Sequence, residues 1–596
     1  MGRKPKKSKS KSGDPSKKEP QGFSSFKDLH LALGGEPEPE PEEGGPGWTL
    51  KRSEDADPDL EMPESAVASL HRRPAAFGPM AHGPKPYRDV ESEEMQLLRS
   101  FRVRTIFPDD VQAEVGALPP DPDPSDFEGR MDLRDQLIFT IDGDDAKDYD
   151  DAISMTELEN GNVELGVHIA DVGHYVVPGT ALDDEALERG TSVYVADQVV
   201  PMLPEELSNN LCSLVPKRDR LAFSVFMEFT PEGQRVGSRV GKSVICSKHR
   251  CTYRIVQELL DGADTEETRE IRFLEETLRQ LQRWTRTQQT IRDQKGSLRM
   301  QSTEKKFVFN DAHEVVGIVD APNYFSQTLI EETALAANQA VGDYFRDRGL
   351  PTIYRVHPEK DPEELEGIIK MLEKYKISVP RKDRLTGRDV GNLIRRVRSK
   401  PNSEALVARI MGLVERADYQ VKDHEDVATH WGLAREAYLH FTSPIRRYPD
   451  LIVHRWLYQI ETRREEAEKE LRAGAFLADL NLQASHSTLQ ASVAEMTERA
   501  VHDLKVCQYM HPHIGETHAA RVRMVQRGGL EIVLDEFNVT GYLPYKKIGG
   551  RAQIDGPRVT IATRKRHYSF SEGGSLKVTI AEVDFVRLQV FFEIAS

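Results

Sequence analysis

Residues 139–154 read FTIDGDDAKDYDDAIS, and six of the ten positions from Asp142 to Asp151 are aspartate. This loop constrains the fold more than any other stretch of the 596-residue chain. Phe139 and Ile141 precede it, and Ala152 and Ile153 follow it, so the carboxylates lie at the ends of buried elements. Crowded carboxylates repel one another, and some take up protons unless a counter-charge is supplied. A divalent cation supplies one. All-oxygen ligands suit Mg²⁺ or Mn²⁺, which keep positions open for water and a substrate phosphate. Two such ions support in-line attack of water on a phosphodiester. From the residues alone, a solvated Asp-rich turn stays open as the alternative. An EF-hand does not fit, because its Gly and terminal Glu are not at the required offsets.

The whole-chain charge pulls the other way. Lys and Arg number 81 against 98 Asp and Glu, a net charge of −17, which by itself argues against a broad nucleic-acid-coating protein. The average hides an asymmetry. Residues 1–20 hold eight Lys or Arg and two acids, leaving −23 for the remainder. A basic head and a local cationic path inside an acidic shell are both compatible with that balance.

The head, residues 1–94, is expected to be a low-complexity, disordered extension. Residues 1–86 contain 23 Gly or Pro and the run EPEPEPEEGGPG, a composition that buries too little apolar surface to offset ordering. Phe26, Leu29 and Leu33 have helical spacing, and a short docking helix is the alternative to a fluctuating segment there. Beyond it, QLIFTI (136–141) and VELGVHIADV (163–172) predict strands. Residues 255–295, 326–348, 360–425 and 452–510 predict largely helical segments. From Gly515 a small antiparallel barrel is expected. No stretch resembles a membrane span or signal peptide. Four cysteines imply no disulfide framework and a reducing, cytoplasmic setting. Cys246, His249 and Cys251 lack a fourth donor for structural zinc.

With those motifs read, the chain resembles the RNase II/RNase R family, RNB-domain 3′-to-5′ exoribonucleases with a C-terminal S1 domain. The family pattern T-I-D, five residues, D-x-D-D-A is met by Asp142, Asp148, Asp150 and Asp151. GVHIADVGHYV, SVYVADQVVPMLPEELSNNLCSL, LIEETALAANQAV, YRVHPEKDP and HFTSPIRRYPDLIVHR follow in family order. The resemblance implies an α+β multidomain protein: an adapter segment at 95–131, a mixed α/β catalytic domain at 132–460, its helical end at 461–512, and an S1 OB-fold barrel at 513–596. It implies processive, Mg²⁺-dependent (or Mn²⁺-dependent) hydrolysis of single-stranded RNA to nucleoside 5′-monophosphates by a monomer. The basic tail is expected to touch RNA or a protein partner.

The resemblance also assigns residues. The four matching aspartates hold the metal, and Arg446 stabilises charge on the scissile phosphate. A planar, always charged fork suits that role; a helix start with surface arginines is the other reading of SPIRR. Tyr194 stacks on the terminal base, or is a core tyrosine in a half-buried strand. Glu332, Arg447, Tyr448 and Glu498 are expected along the RNA path, with helix-surface glutamates as the alternative for Glu332 and Glu498. His168 and Asp171 are expected as a structural hydrogen-bonded pair. In the barrel, Arg521, Arg523, Phe537, Tyr542, Tyr545 and the run Arg564, Lys565, Arg566, His567 are candidate RNA contacts; barrel core is the alternative for Phe537 and Tyr542.

Two departures stand out. Met300 occupies the position of a family aromatic, and its thioether packs against a base without stacking as a ring does. The Gly/Pro-rich head has no room for the two cold-shock barrels that family members commonly carry. An inactive RNA-binding scaffold and an RNA-processing endonuclease, including a tRNA-processing enzyme, are the competing readings. Removing residues 1–86 is expected to leave turnover of a short unstructured RNA unchanged; a single-turnover assay on the truncated chain checks this.

Overall fold

The computed structural model describes residues 93–596, apart from 197, 299–304, 311–313, 383–384, 401, 423–428, 565 and 596. The head segment, Met300 and Lys565 therefore lie outside the described residues. The frame is a sheet of four long strands: β1 (Asp151–Glu157), β2 (Val163–Ala170), β3 (Asp219–Phe229) and β4 (Arg235–Cys246). They pair antiparallel in that order, and the short strand Met131–Asp132 adds parallel to β4. Side chains alternate between the two faces of a strand, and here both faces are covered. Ile153, Leu165, Val167, Phe223 and Val225 face one core, while Ala152, Ala170, Ala222 and Phe226 face the other.

The first face is covered by α1 (Glu275–Lys295) and α2 (Phe325–Asp347). Gly342 of α2 is required by a close approach: a Cβ there would meet the Ala437 carbonyl at 1.9 Å. Two further helices, α3 (Tyr448–Leu471) and α4 (Gly474–Met510), close the chain back over the other elements. Helix α3 bends at Arg463, whose φ of −126° and ψ of 27° are not helical.

Between α2 and α3 the chain builds a small helical module from Pro362–Lys374, Gly387–Val397 and Ser403–Met411. Asp361 and Thr386 cap its first two helices by accepting backbone N–H bonds. It has its own core of Leu372, Leu393, Ile394, Leu406 and Ile410. The segment is less continuously helical than its sequence suggests, since Asp418–Lys422 leaves it as a strand paired with Thr352–Val356.

The C-terminal part is a closed five-stranded barrel of β5 (Thr517–Val525), β6 (Gly529–Leu534), β7 (Thr540–Pro544), β8 (Ser575–Asp584) and β9 (Gln589–Ile594). The order around it is β5-β6-β7-β9-β8. One expectation is corrected here: the barrel is not wholly antiparallel, because β7 and β9 pair in parallel at Tyr542 and Phe591. Between β7 and β8 the chain inserts a three-stranded antiparallel meander over residues 551–571. The barrel rests on the C-terminal half of α4 through Val501, Leu504, Cys507 and Met510.

A buried ion pair pins the helical module to this barrel. Glu572 is fully buried; it accepts from Arg409 at 2.5 Å, Asn402 at 3.2 Å and the Val525 amide at 3.1 Å. Removing one partner of such a pair strands the other charge out of water, at a cost of about 3–5 kcal/mol. Arg409→Ala is therefore expected to destabilise the junction by that order, whereas Arg409→Met with Glu572→Leu recovers most of it; urea denaturation of the two variants tests this.

Candidate active site

The aspartate loop is held from three sides. Its entry strand, Thr140–Asp142, pairs in parallel with Arg250–Thr252. Its exit is β1, and Phe139 bridges to Ile153 across the loop. Its middle is fixed by the segment that reads LCSL: Ser213 Oγ accepts from the Tyr149 amide at 2.9 Å and donates to the Lys147 carbonyl at 2.8 Å. The Leu214 amide donates to the Tyr149 carbonyl at 3.0 Å.

Asp150 is the most enclosed member. Oδ1 accepts from the Ile445 amide at 2.9 Å, and Oδ2 lies 3.4 Å from Arg446 Nε. Oδ2 of Asp150 and Oδ2 of Asp142 accept no hydrogen bond among the described residues. Tyr194, 42% exposed, brings its hydroxyl to 3.5 Å from Asp148. Burial is the main cause of unusual acidities here. It raises Asp142, together with the charge of Asp151, to about 7, and Asp151 to about 6. It also raises Asp148, and raises Asp150 well above the ordinary carboxyl range. Arg446 opposes that shift at Asp148, Asp150 and Asp151.

SPIRR is a turn before α3, and Tyr448 opens the helix. The Arg446 and Arg447 amides fold back onto the Ser443 carbonyl at 3.3 and 3.0 Å. Arg446 keeps its side chain 41% exposed while donating to Ser443 Oγ at 3.0 Å. Arg447 points away and forms a two-pronged pair with buried Asp450, at 2.7 and 3.0 Å.

Several expectations are corrected by burial. Tyr448 is 2% exposed and donates to Asp183 at 2.9 Å, with Arg455 bridging both, so it braces α3 and does not face RNA. Glu332 is fully buried and pairs with Arg292 at 3.2 Å, so it is neither a helix-surface residue nor a channel lining. His168 and Asp171 do not bond each other. They are separated by the strand: His168 is held by Ser154 and Ser224, and Asp171 by Arg130 at 2.8 Å and Lys242 at 2.9 Å. Glu498 accepts from the Tyr194 amide at 2.8 Å, which places it as the support of the tyrosine. In the barrel, Arg521 pairs with Asp535 at 2.7 Å and Arg523 with Glu531. Phe537 packs among Tyr509, His513 and His518.

The structure adds residues that the sequence reading passed over. Tyr253 lies near Asp151 and Asp142; burial, and then those charges, push its hydroxyl pKa up. Arg250 donates to the Gly143 and Asp144 carbonyls and so anchors the acidic loop. Both belong to the stretch CSKHRCTYR, whose cysteines drew the attention; the signal was a strand with an aromatic end that pairs beside Asp142.

An RNB domain model matches residues 130–463, more than half of the chain. The chain is 36% identical over 488 residues to Ribonuclease R of Thermotoga maritima, covering 82% of this chain and 68% of that protein. The chain belongs to the RNase II/RNase R family. The matched regions span 54–69% of the length of its curated RNase R relatives. Two solved structures share the RNase R fold. One is Mycoplasma genitalium RNase R in complex with ribose-methylated single-stranded RNA, at a TM-score of 0.72, 24% identity, 84% of this chain and 77% of that one. The other is yeast Ssd1, described as a pseudonuclease, at a TM-score of 0.60, 18% identity, 78% of this chain and 57% of that one. The fold therefore does not decide activity; the carboxylates must.

Among the described residues, no three such groups are already drawn into ligating positions. The donor set nevertheless fits a divalent cation, since two buried carboxylate oxygens lack donors and four acidities are raised. A carboxyl with a raised folded pKa binds more protons when folded. Its penalty is absent below its ordinary value near 4 and complete above about 7, so stability falls as pH rises through that window. In EDTA the Tm of Asp142→Asn is therefore expected to gain on that of the wild type from pH 4 to 7, and Mg²⁺ is expected to raise the wild-type Tm at pH 8 but not at pH 4.

Proposed function

We propose that the protein is a hydrolytic 3′-to-5′ exoribonuclease that degrades single-stranded RNA processively to nucleoside 5′-monophosphates. The observation that carries this is the convergence of Asp142, Asp148, Asp150 and Asp151 beside Arg446, with carboxylate oxygens that lack donors. Asp142, Asp148, Asp150 and Asp151 would hold Mg²⁺ or Mn²⁺, which when bound supplies Lewis acidity to the phosphate and readies a water. The chain's own part is positioning and charge. Arg446, tethered by Ser443 yet exposed, is placed to meet a phosphoryl oxygen as it gains charge. Tyr194, fixed through Glu498, offers a ring to the terminal base beside Asp148. The five-stranded barrel, with its parallel closing pair, is read as an S1-type OB-fold that holds the incoming strand. The likeness to RNase R supports RNA as substrate; the reading includes a cytoplasmic, monomeric enzyme.

A 5′-labelled unstructured RNA with Mg²⁺ tests the reading. The wild type is expected to leave a very short labelled remnant and free mononucleotides. Asp150→Asn is expected to bind without cutting, Arg446→Ala to lose about 10²–10³ in kcat, and Tyr194→Ala to lose about 1–3 kcal/mol of binding. Discrete internal fragments would make it an endonuclease, and intact RNA with the wild type a scaffold.

A further inference from the structure

At the opposite end of the sheet from the aspartates lies a second cavity of about 890 Å³, within the range that holds a nucleotide-sized ligand. Its walls come from the β3–β4 turn, the C-terminal ends of α1 and α2, and the short strand Arg435–Glu436. Strand β2 measures the separation. Its Ala170 amide donates to the Asp150 carbonyl, while Val163 at its other end pairs with Phe229 in the cavity wall. Seven residues of strand at about 3.3 Å each put the two sites roughly 20 Å apart.

The lining is cationic in an acidic protein. Arg235, Arg292, Lys295, Arg346 and Arg435 face the cavity against Glu232, Asp343 and Glu436. Asp343 is consumed by Arg235 and Arg346, and Arg292 is held by Glu331 and Glu332. Arg435 is different. Its guanidinium makes no hydrogen bond or ion pair among the described residues, and its Nε is wholly buried without an acceptor. Burial lowers its pKa, and Glu332, which opposes that shift, is already paired with Arg292. A guanidinium nitrogen withdrawn from water without an acceptor is costly, and here it is Nε. The five cations of the lining outnumber its three acids, which leaves positive charge beside the cavity.

The backbone holds Arg435 in place at a further cost. Ala434 and Ala437, on either side of the strand, take left-handed φ values of 53° and 51°, a conformation unfavourable for alanine. Gln339 of α2 donates to the Glu436 carbonyl at 2.7 Å, and Gly342 makes room for Ala437. This strained, tightly braced segment presents the one arginine of the cavity that has no acceptor among the described residues.

We infer that this cavity binds a phosphate group, with Arg435 as its anchor and Lys295 at its rim. The phosphate belongs either to a free nucleoside 5′-monophosphate or to an RNA backbone. The site goes beyond the nuclease reading and does not depend on it, because its test reads binding without turnover.

Equilibrium dialysis of the full chain in EDTA against adenosine 5′-monophosphate is the first arm. Wild type and Asp150→Asn are expected to bind alike, Arg435→Leu at least tenfold more weakly, and Arg435→Lys in between. The second arm measures affinity for a labelled single-stranded RNA in EDTA. If only nucleotide binding depends on Arg435, the site takes the free nucleotide; if RNA affinity also falls at least tenfold, it takes the backbone. Should Arg435→Leu fail to fold, Lys295→Ala replaces it, with a loss of threefold or more expected. Binding of both probes that is unchanged in the substituted chain overturns the inference.

Discussion

Four carboxylates withdrawn from water in one small volume cannot all stay charged without help, and much of the catalytic domain is arranged around that fact. The loop that carries them is fixed by backbone bonds from the Ser213 segment, by Arg250 and by the Ile445 amide. Arg446 lies beside Asp150 as a counter-charge and stays half in solvent, while Arg250 and Arg447 oppose the shifts of Asp142 and Asp151. The site is therefore rigid but electrostatically incomplete. An array of this kind is suited to receive cations and a phosphate rather than to stabilise the empty fold.

Several buried charges elsewhere among the described residues are paired, and the contrast is informative. Asp171 faces two cations, Asp450 faces Arg447, Asp183 faces Arg455 and Tyr448, and Glu572 faces Arg409. These pairs fix the approach of elements distant in sequence, since a partner lost from any of them leaves a charge stranded. The incomplete groups, at the aspartate cluster and at Arg435, lie where the structure is open to a ligand.

The four aspartates and Arg446 were legible because their motif is local: the spacing of a strand end and its loop already brings the carboxylates together. Tyr194 was legible only through the family pattern. Its link to Glu498 joins residues about 300 positions apart, which no periodicity reveals. Glu332 and Tyr448 were misread because a motif names residues but does not say which way a helix face turns. Glu332 turns into a buried pair with Arg292, and Tyr448 into Asp183. The aromatic and basic residues of the barrel were visible as a composition; which of them are neutralised by Asp535 and Glu531 was not.

The sequence by itself determined the chemistry the chain can offer: an oxygen-only ligand loop, an arginine turn, a family order of blocks, and a β-rich end. These depend on residue type and short spacing, which the chain carries in one dimension. Tertiary structure decided which charges are finished and which are left open. That choice depends on burial and on the meeting of distant segments: Arg435 is unsatisfied only because α2 and two left-handed alanines hold it at a cavity wall. Desolvation is a property of the packed molecule, so neither the raised acidities of the aspartates nor that stranded guanidinium exists until the fold is complete.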